Sequence, residues 1–428
     1  MEVRALLESE QDECIALWRT VWPGDNDAYF RRYFEGDVEW LPYYTQVAVD
    51  DGRILSAVHI CKRTVACGDF RLQMGGIANV ATLPQHRGKG LNSACLRSAI
   101  AVMEADALDF SLLFTGISGY YARQGFANLP RARLRGTLRA GLRSSEGAVA
   151  VREARAEDLP QLFAVYNAYN AARPIAVQRT PAYWRDWIGL KPQKLLAGEP
   201  PLVALNHAGD VLGYVCYQLN FYRGHQITED YAYVSEYGAV APADGGERSG
   251  RTGDGALSSG EGRGDGVTSD NVANVLLREV AVRALKSGKR ELHLSIALDS
   301  SIRSAMAGLC ETIGENVTES AMARLLHRDN LLRSFLMEWN DRWVEAGRPP
   351  SAVVFETPYG PVRLDASGRF LKAEAADTGE TGLSQAELLG LLFGTLEPRH
   401  VSDDPERLQM LGCLFPPRDG VYWSADGF

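Results

Sequence analysis

The stretch Gln85-His86-Arg87-Gly88-Lys89-Gly90 sets two glycines and three basic side chains between an apolar run and a helical pattern. The run is Ile77, Val80, Thr82 and Leu83, and Pro84 ends it. A strand, a basic glycine-containing turn and a helix make an arrangement suited to a pyrophosphate. The N–H groups of such a turn converge, and the helix N-terminus adds its positive end. Glycine lets the backbone approach an oxygen-rich group closely, and Arg87 and Lys89 add charge beside it. One strand and one helix later stands Tyr120-Tyr121-Ala122-Arg123-Gln124-Gly125-Phe126. A tyrosine hydroxyl, with an ordinary pKa of about 10, stays protonated at neutral pH and can serve as a general acid. Tyr121 is the candidate for that role, and Tyr120 reads as a core aromatic.

No Asp or Glu near these residues stands out as a base, but the far end of the chain is unusual. It reads Val421-Tyr422-Trp423-Ser424-Ala425-Asp426-Gly427-Phe428. Termini are normally polar and fray, and aromatics left in water waste apolar surface. The tail is therefore expected to dock.

These groups need elements to position them. Val3 to Leu6 reads as a strand, Glu8 to Trp22 and Asp27 to Phe34 as helices, and Thr45 to Val49 and Leu55 to Val65 as strands around Asp50-Asp51-Gly52. A strand from Phe70 enters the turn, and a helix from Leu91 to Ala105 leaves it with one apolar face. Asp109 to Thr115 reads as a buried parallel-type strand, and a final strand is expected between Phe126 and Leu138. After a linker, Gly141 to Gly147, the pattern starts over. Val151-Arg152 and a helix from Asp158 to Ala171 echo the beginning; strands at 202–205 and 211–219, a helix at 271–286, a strand at 291–298 and a helix at 301–309 follow. The repeat carries Ala243 to Gly266, a Gly/Ser-rich stretch that cannot bury a core, where its own turn should be. Helical spacing returns from Arg324 to Trp343. Strands in VVFETPYGPVRLD and RFLKAEA and a helix from Gln385 to Phe393 complete the chain.

With 428 residues, two or three domains are expected, and 46% hydrophobic with 23% charged residues suits a globular protein. The acidic opening MEVRALLESEQDE lacks the apolar stretch of a secretion signal, and LLGLLF is far too short to span a membrane. Seven scattered cysteines without a CxxC point to free thiols in a reducing compartment, and seven histidines without HxxxH or HExxH spacing point away from a metal site. A net charge of −9 speaks against nucleic acid and favours cationic partners. A cytoplasmic, soluble enzyme is the expectation, with no metal, nucleic acid or membrane partner.

The pattern Gln85-x-x-Gly88-x-Gly90 between strand and helix, followed by Tyr121-x-x-x-Gly125-Phe126, resembles the GNAT superfamily of N-acetyltransferases. The resemblance implies acetyl-CoA as cosubstrate, its pantetheine arm along the main chain of Val80, Ala81 and Thr82, and its pyrophosphate on Gln85, His86, Arg87, Gly88, Lys89, Gly90 and Leu91. Tyr121 would protonate the departing thiolate. The whole layout is similar to the enhanced-intracellular-survival (Eis) family. That likeness implies tandem GNAT-type mixed-sheet domains of the α/β (α+β) class and a small α+β sterol-carrier-like domain. The divisions would be a catalytic domain at 1–142, a degenerate copy at 148–328 with its loop at 243–269, and the third domain at 329–428. It further implies that the α-carboxylate of Phe428 is the base, that acceptors are polyamine-like small molecules such as aminoglycosides, or lysine side chains, and that the protein is an oligomer, as large as a hexamer. An α-carboxyl with an ordinary pKa of about 3.3–3.7 is only weakly basic and needs an apolar site or a relay water. The Gly/Ser-rich insertion and Gly88, where some members carry arginine, depart from the family pattern. Two other readings stay open: a low-turnover acyl-CoA-binding regulator, and a lipid-binding protein acting through the third domain.

Overall fold

The computed structural model describes residues 1–428 apart from 24–26, 68–69, 146, 172, 186–198, 220–221, 224–225, 228–229, 241–268, 319, 378–381, 417, 419, 421, 424–425 and 427–428. The Gly/Ser-rich stretch lies almost entirely outside the described residues, as does Phe428.

The first half contributes β1 (Glu2–Ala5), α1 (Gln11–Val21), α2 (Asp27–Glu35), β2 (Thr45–Asp50), β3 (Arg53–Cys67), β4 (Phe70–Thr82), α3 (Leu91–Ala105), β5 (Phe110–Phe114), α4 (Ser118–Ala122), β6 (Ala127–Asn128) and β7 (Arg131–Leu138). Next come β8 (Ala150–Glu153), α5 (Leu159–Asn170), α6 (Pro181–Tyr183), β9 (Leu202–Leu205), β10 (Val211–Gln218), β11 (Tyr222–Arg223), β12 (Gln226–Ile227), β13 (Tyr231–Ala239), α7 (Ser269–Lys286), β14 (Glu291–Leu294), α8 (Ser300–Leu309), β15 (Cys310–Thr318) and β16 (Ala321–Leu325). The last part holds α9 (Arg328–Glu345), β17 (Ala352–Phe355), β18 (Val362–Asp365), β19 (Lys372–Ala375), α10 (Gln385–Leu392) and α11 (Pro405–Leu414). The expected α/β class holds: two large mixed sheets are accompanied by a small third one, β17-β18-β19.

Each large sheet has one parallel pair among antiparallel neighbours, β4 with β5 and β13 with β14. In the first, α3 buries Leu91, Cys95, Leu96, Ala99, Ile100 and Met103 against the sheet, as its spacing requires. The stretches from β1 and β8 onward open alike in atomic detail. Arg4 makes paired bonds to Glu10 at 2.8 and 2.7 Å, and Arg152 makes them to Asp158 at 2.7 and 2.8 Å. Each carboxylate also accepts a backbone N–H three residues earlier, from Leu7 and Arg155.

Strand allocation differs from the sequence expectation. The stretch from Phe126 to Leu138 is two strands in two sheets. The first sheet runs β1-β2-β3-β4-β5-β16-β6, the second β15-β7-β14-β13-β10-β9-β8. β16 enters between β5 and β6, pairing Ala321 to Leu325 with Phe114 to Phe110, while β7 crosses to lie between β14 and β15. The reason is local at one end: Pro130, which has no N–H to give, breaks the strand after β6. It is long-range at the other, where β16 (Ala-Met-Ala-Arg-Leu) is apolar enough to be buried from both sides. Consequently Arg324 and Leu325 are strand residues, and the following helix begins at Arg328 rather than at Arg324. VVFETPYGPVRLD likewise folds back on itself as the β17–β18 hairpin.

The third part packs Trp339, Trp343, Phe355 and Phe415 into its own interior. It joins the first sheet through Phe393 on Phe110, with ring centroids 4.7 Å apart. From α10, Gln385 accepts from the Leu325 N–H at 2.8 Å and donates to the Gly125 carbonyl at 3.0 Å. Among the described residues no helix is long and apolar enough to cross a membrane.

Candidate active site

β4 and β5 pair over only three positions, Met74 with Phe110, Gly75 with Ser111 and Gly76 with Leu112. They then part, so the edge of β4 from Ile77 to Thr82 that faces β5 has no ladder partner among the described strands. Gly75 is needed where helix and strand meet, because a Cβ there would overlap the Met103 sulfur. At the parting β4 bulges: Ala78 faces His59 and Ala81 faces Ala57, leaving Asn79 and Val80 opposite Val58, with Asn79 at φ 47°. Its far end is fixed by Ser56, whose hydroxyl donates to the Ala81 carbonyl at 2.7 Å.

The turn follows immediately. Pro84–His86 form a single 3₁₀ turn, and Gly88 and Gly90 adopt φ 77° and 78°, which glycine alone takes without strain. Gly90 is the N-cap of α3 and brings no side chain to the helix end. The first-turn residues Leu91, Asn92 and Ser93 therefore line an open cleft together with Val80, Thr82, His86, Arg87, Gly88 and Gly90. The cleft measures about 500 Å³. Unpaired strand edge, converging turn and open helix N-terminus fit a pantetheine arm and a pyrophosphate.

Tyr121 lines the same cleft from α4. It is 6% exposed, and its ring meets Tyr120 and Phe126 edge-on. Burial, with the neighbouring Tyr120, pushes its hydroxyl up to about 12, so it holds its proton throughout the neutral range. Gly125, at φ 81°, ends the turn after it, and the Phe126 N–H returns to the Tyr121 carbonyl at 3.2 Å.

Of the residues singled out from sequence, Val80, Thr82, His86, Arg87, Gly88, Gly90, Leu91 and Tyr121 line the cleft. Ala81 is buried away from the lining, and Gln85 and Lys89 are exposed outside it. Missed were Val21, Asn92, Ser93, Ile117 and Tyr120. Tyr120 is half-buried rather than core, and its hydroxyl donates to Asn92 Oδ1 at 2.5 Å. The Asn92 and Ser93 positions, one helix turn from Gly90, carried a signal in their polarity on a first helical turn. Phe428 lies outside the described residues; of the tail before it, Tyr422, Trp423 and Asp426 are described, and all three are buried.

Asp37, His59 and Cys61 bring donor atoms within 4.8 Å of one another in the interior. Both Asp37 oxygens accept from Arg63 Nη1, at 2.9 and 2.8 Å, and His59 Nδ1 meets the Thr45 hydroxyl at 2.8 Å. Burial and the Arg63 charge hold the His59 ring down to about 3. A guanidinium so close disfavours a cation there, and the ring packs among Trp18, Tyr33 and Phe34 as part of the core.

Residues 2–128 match the family model for the acetyltransferase (GNAT) domain. That stretch of the chain is similar to a GNAT acetyltransferase domain. The match ends with β6, where the chain leaves the first sheet. Solved structures extend the likeness of fold to the full length. A GCN5-related N-acetyltransferase from Anabaena variabilis is 13% identical with a TM-score of 0.67, covering 100% of both chains. A probable N-acyltransferase from Enterococcus faecalis is 15% identical with a TM-score of 0.66, covering 97% of each. Eis1 from Mycobacterium abscessus is 14% identical with a TM-score of 0.62, again covering 100% of both. No curated protein matches the sequence. The family match thus covers residues 2–128, and the solved structures share the fold along the full length.

Proposed function

We propose that this protein is an N-acetyltransferase that moves the acetyl group of acetyl-CoA to a primary amine by direct attack in a ternary complex. The observation that carries the reading is the parting of β4 from β5 beside the Gly88–Gly90 turn, with Tyr121 lining the same cleft. Acetyl-CoA would lie along Val80 to Thr82 with its pyrophosphate on the turn and the first turn of α3. Main-chain N–H groups at the bulge would polarise the thioester carbonyl.

The acceptor nitrogen's lone pair forms the new C–N bond, the C–S bond breaks, and Tyr121 gives its proton to the thiolate. The proton lost by the amine passes to the α-carboxylate of Phe428, directly or through a water. Because that carboxylate is a weak base, attraction of a cationic acceptor contributes beside proton removal. Burial of Tyr422, Trp423 and Asp426 supports a tail that reaches the interior. Acceptors in this reading are polyamine-like molecules such as aminoglycosides, or lysine side chains. The reading includes a cytoplasmic homo-oligomer, as large as a hexamer, and a sterol-carrier-like third domain that acts as scaffold.

Thiol release from acetyl-CoA with a panel of aminoglycosides, spermine and lysyl peptides tests the activity. Turnover with none of them, despite tight acetyl-CoA binding, would favour an acyl-CoA-binding regulator instead. One residue added after Phe428 should abolish turnover, and unchanged turnover would remove the terminal carboxylate from the mechanism.

A further inference from the structure

The second sheet parts its parallel pair as the first does. β13 pairs with β14 from Tyr231–Glu291 to Val234–Leu294 and then runs on to Ala239 without it. It also bulges at the parting: Cys216 faces Glu236 and Tyr217 faces Val234, with Ser235 the extra residue. In the first sheet this opening is the candidate acyl cleft. In the second sheet, Arg179 and Arg131, which bond to Glu236 and Ser295 beside the opening, also bond to the chain's own tail.

Glu236, just past the bulge, is buried and accepts from Arg179 at 2.8 and 2.7 Å and from the Tyr214 hydroxyl at 2.6 Å. Arg179 turns its remaining donors on Asp426, at 2.9 and 3.1 Å. Asp426 also accepts from the Tyr183 hydroxyl at 3.2 Å, and its carbonyl accepts from Tyr422 at 2.6 Å. On the other strand, Ser295 directly follows β14. Arg131 bridges its carbonyl and that of Tyr422, each at 2.9 Å. Trp423 donates to Asn170 Oδ1 on α5 at 2.9 Å. A fully buried carboxylate is tolerable only when charge and hydrogen bonds meet it, and here its hydrogen bonds come from Arg179 and Tyr183, with the Arg63 charge of β3 acting from the first sheet.

We propose that the opening of the second sheet is a receptor for this chain's own C-terminal segment. Arg179 is the recognising cation, Asp426 the recognised group, and the pair acts as a positioning device for Phe428. The role of Phe428 rests on the mechanism above; the receptor itself does not. Two residues of chain span at most about 7 Å, so holding Asp426 bounds where the last residue can act. The second copy would then keep its cleft for a peptide ligand.

The test uses the full-length chain with Asp426→Ala, which leaves Arg179 its paired bonds to Glu236, and Asp426→Glu, which keeps the charge. Hydrogen exchange read by mass spectrometry should rise at least tenfold in the peptide covering residues 420–428 of Asp426→Ala, with peptides from β3 and α3 unchanged. kcat/KM for an amine that turns over, such as spermine or kanamycin, should fall at least tenfold with the acetyl-CoA KM held. Asp426→Glu should recover most of both. Unchanged exchange in the tail, or equal acceleration in every peptide, would overturn the receptor. Faster tail exchange with amine turnover intact would uphold the receptor and overturn the mechanism assigned to Phe428.

Discussion

Arg324, on β16, occupies the space a side chain on Gly125 would need: its Nη1 donates to the neighbouring Gln124 carbonyl at 3.0 Å, and a Cβ on Gly125 would overlap it. A strand almost two hundred residues downstream thus seals the turn that follows Tyr121. Because Gly125 also sits at φ 81°, Gly125→Ala meets both a clash and backbone strain. Thermal and urea unfolding should show a loss of about 1–3 kcal/mol. Arg324→Ala should cost about 1–2 kcal/mol through the lost bond. The double variant should be more stable than the sum predicts, since removing the guanidinium relieves the clash. Strict additivity would mean the two residues do not meet.

Tyr121→Phe removes the candidate acid while keeping the ring contacts with Tyr120 and Phe126. kcat should fall about 100-fold or more, the usual reach of a general acid, with the acetyl-CoA KM changed little. With the hydroxyl pushed up to about 12, the wild-type rate should show no decline from loss of this proton below about pH 11. A stopped assay across pH 6 to 10 checks this.

Gly90 has open space where a Cβ would be, so its requirement is backbone alone, at φ 78°. Gly90→Ala should raise the acetyl-CoA Kd about 5- to 30-fold, reflecting roughly 1–2 kcal/mol for an L-residue in the left-handed region. Gly90→Asn should lose less, because asparagine tolerates that region better. Calorimetric titration with acetyl-CoA reads both.

Arg152 holds the buried Asp158 carboxyl below its ordinary value, aided by the Arg155 N–H. A carboxyl depressed on folding contributes stability above its unfolded pKa, and loses it as pH falls through the folded value. Asp158→Asn should therefore cost about 1–2 kcal/mol at pH 7, and the cost should shrink as pH falls through the folded value. Urea melts from pH 7 downward should converge for the two proteins, and a constant gap would exclude the pair as the cause.

Much of the first sheet and its cleft was legible because their signals are local. Gly88 and Gly90 announce a turn with positive φ, the apolar face from Leu91 to Met103 announces a helix on a sheet, and Tyr121-x-x-x-Gly125 announces a short helix with a glycine stop. The echo of Val3-Arg4 and the first helix in Val151-Arg152 and the helix from Asp158 suggested a repeat, and the structure adds the matching Arg4–Glu10 and Arg152–Asp158 pairs. The aromatic tail announced that it would be buried, because free apolar rings at a terminus are costly in water.

What only the tertiary structure decided depends on partners far apart in sequence. A five-residue apolar strand such as Ala321 to Leu325 does not say which edge it will join, since backbone ladders carry no address; the gap between β5 and β6 does. Helical periodicity from Arg324 misled for the same reason. Arg179 lies in a stretch without a motif, and Asp426 is one acidic residue among many. Their pairing follows from burial, where neither charge is tolerated without the other. The sequence determined the chemistry of the turn and its tyrosine. The fold decided that Asp426, near the far end of the chain, meets Arg179.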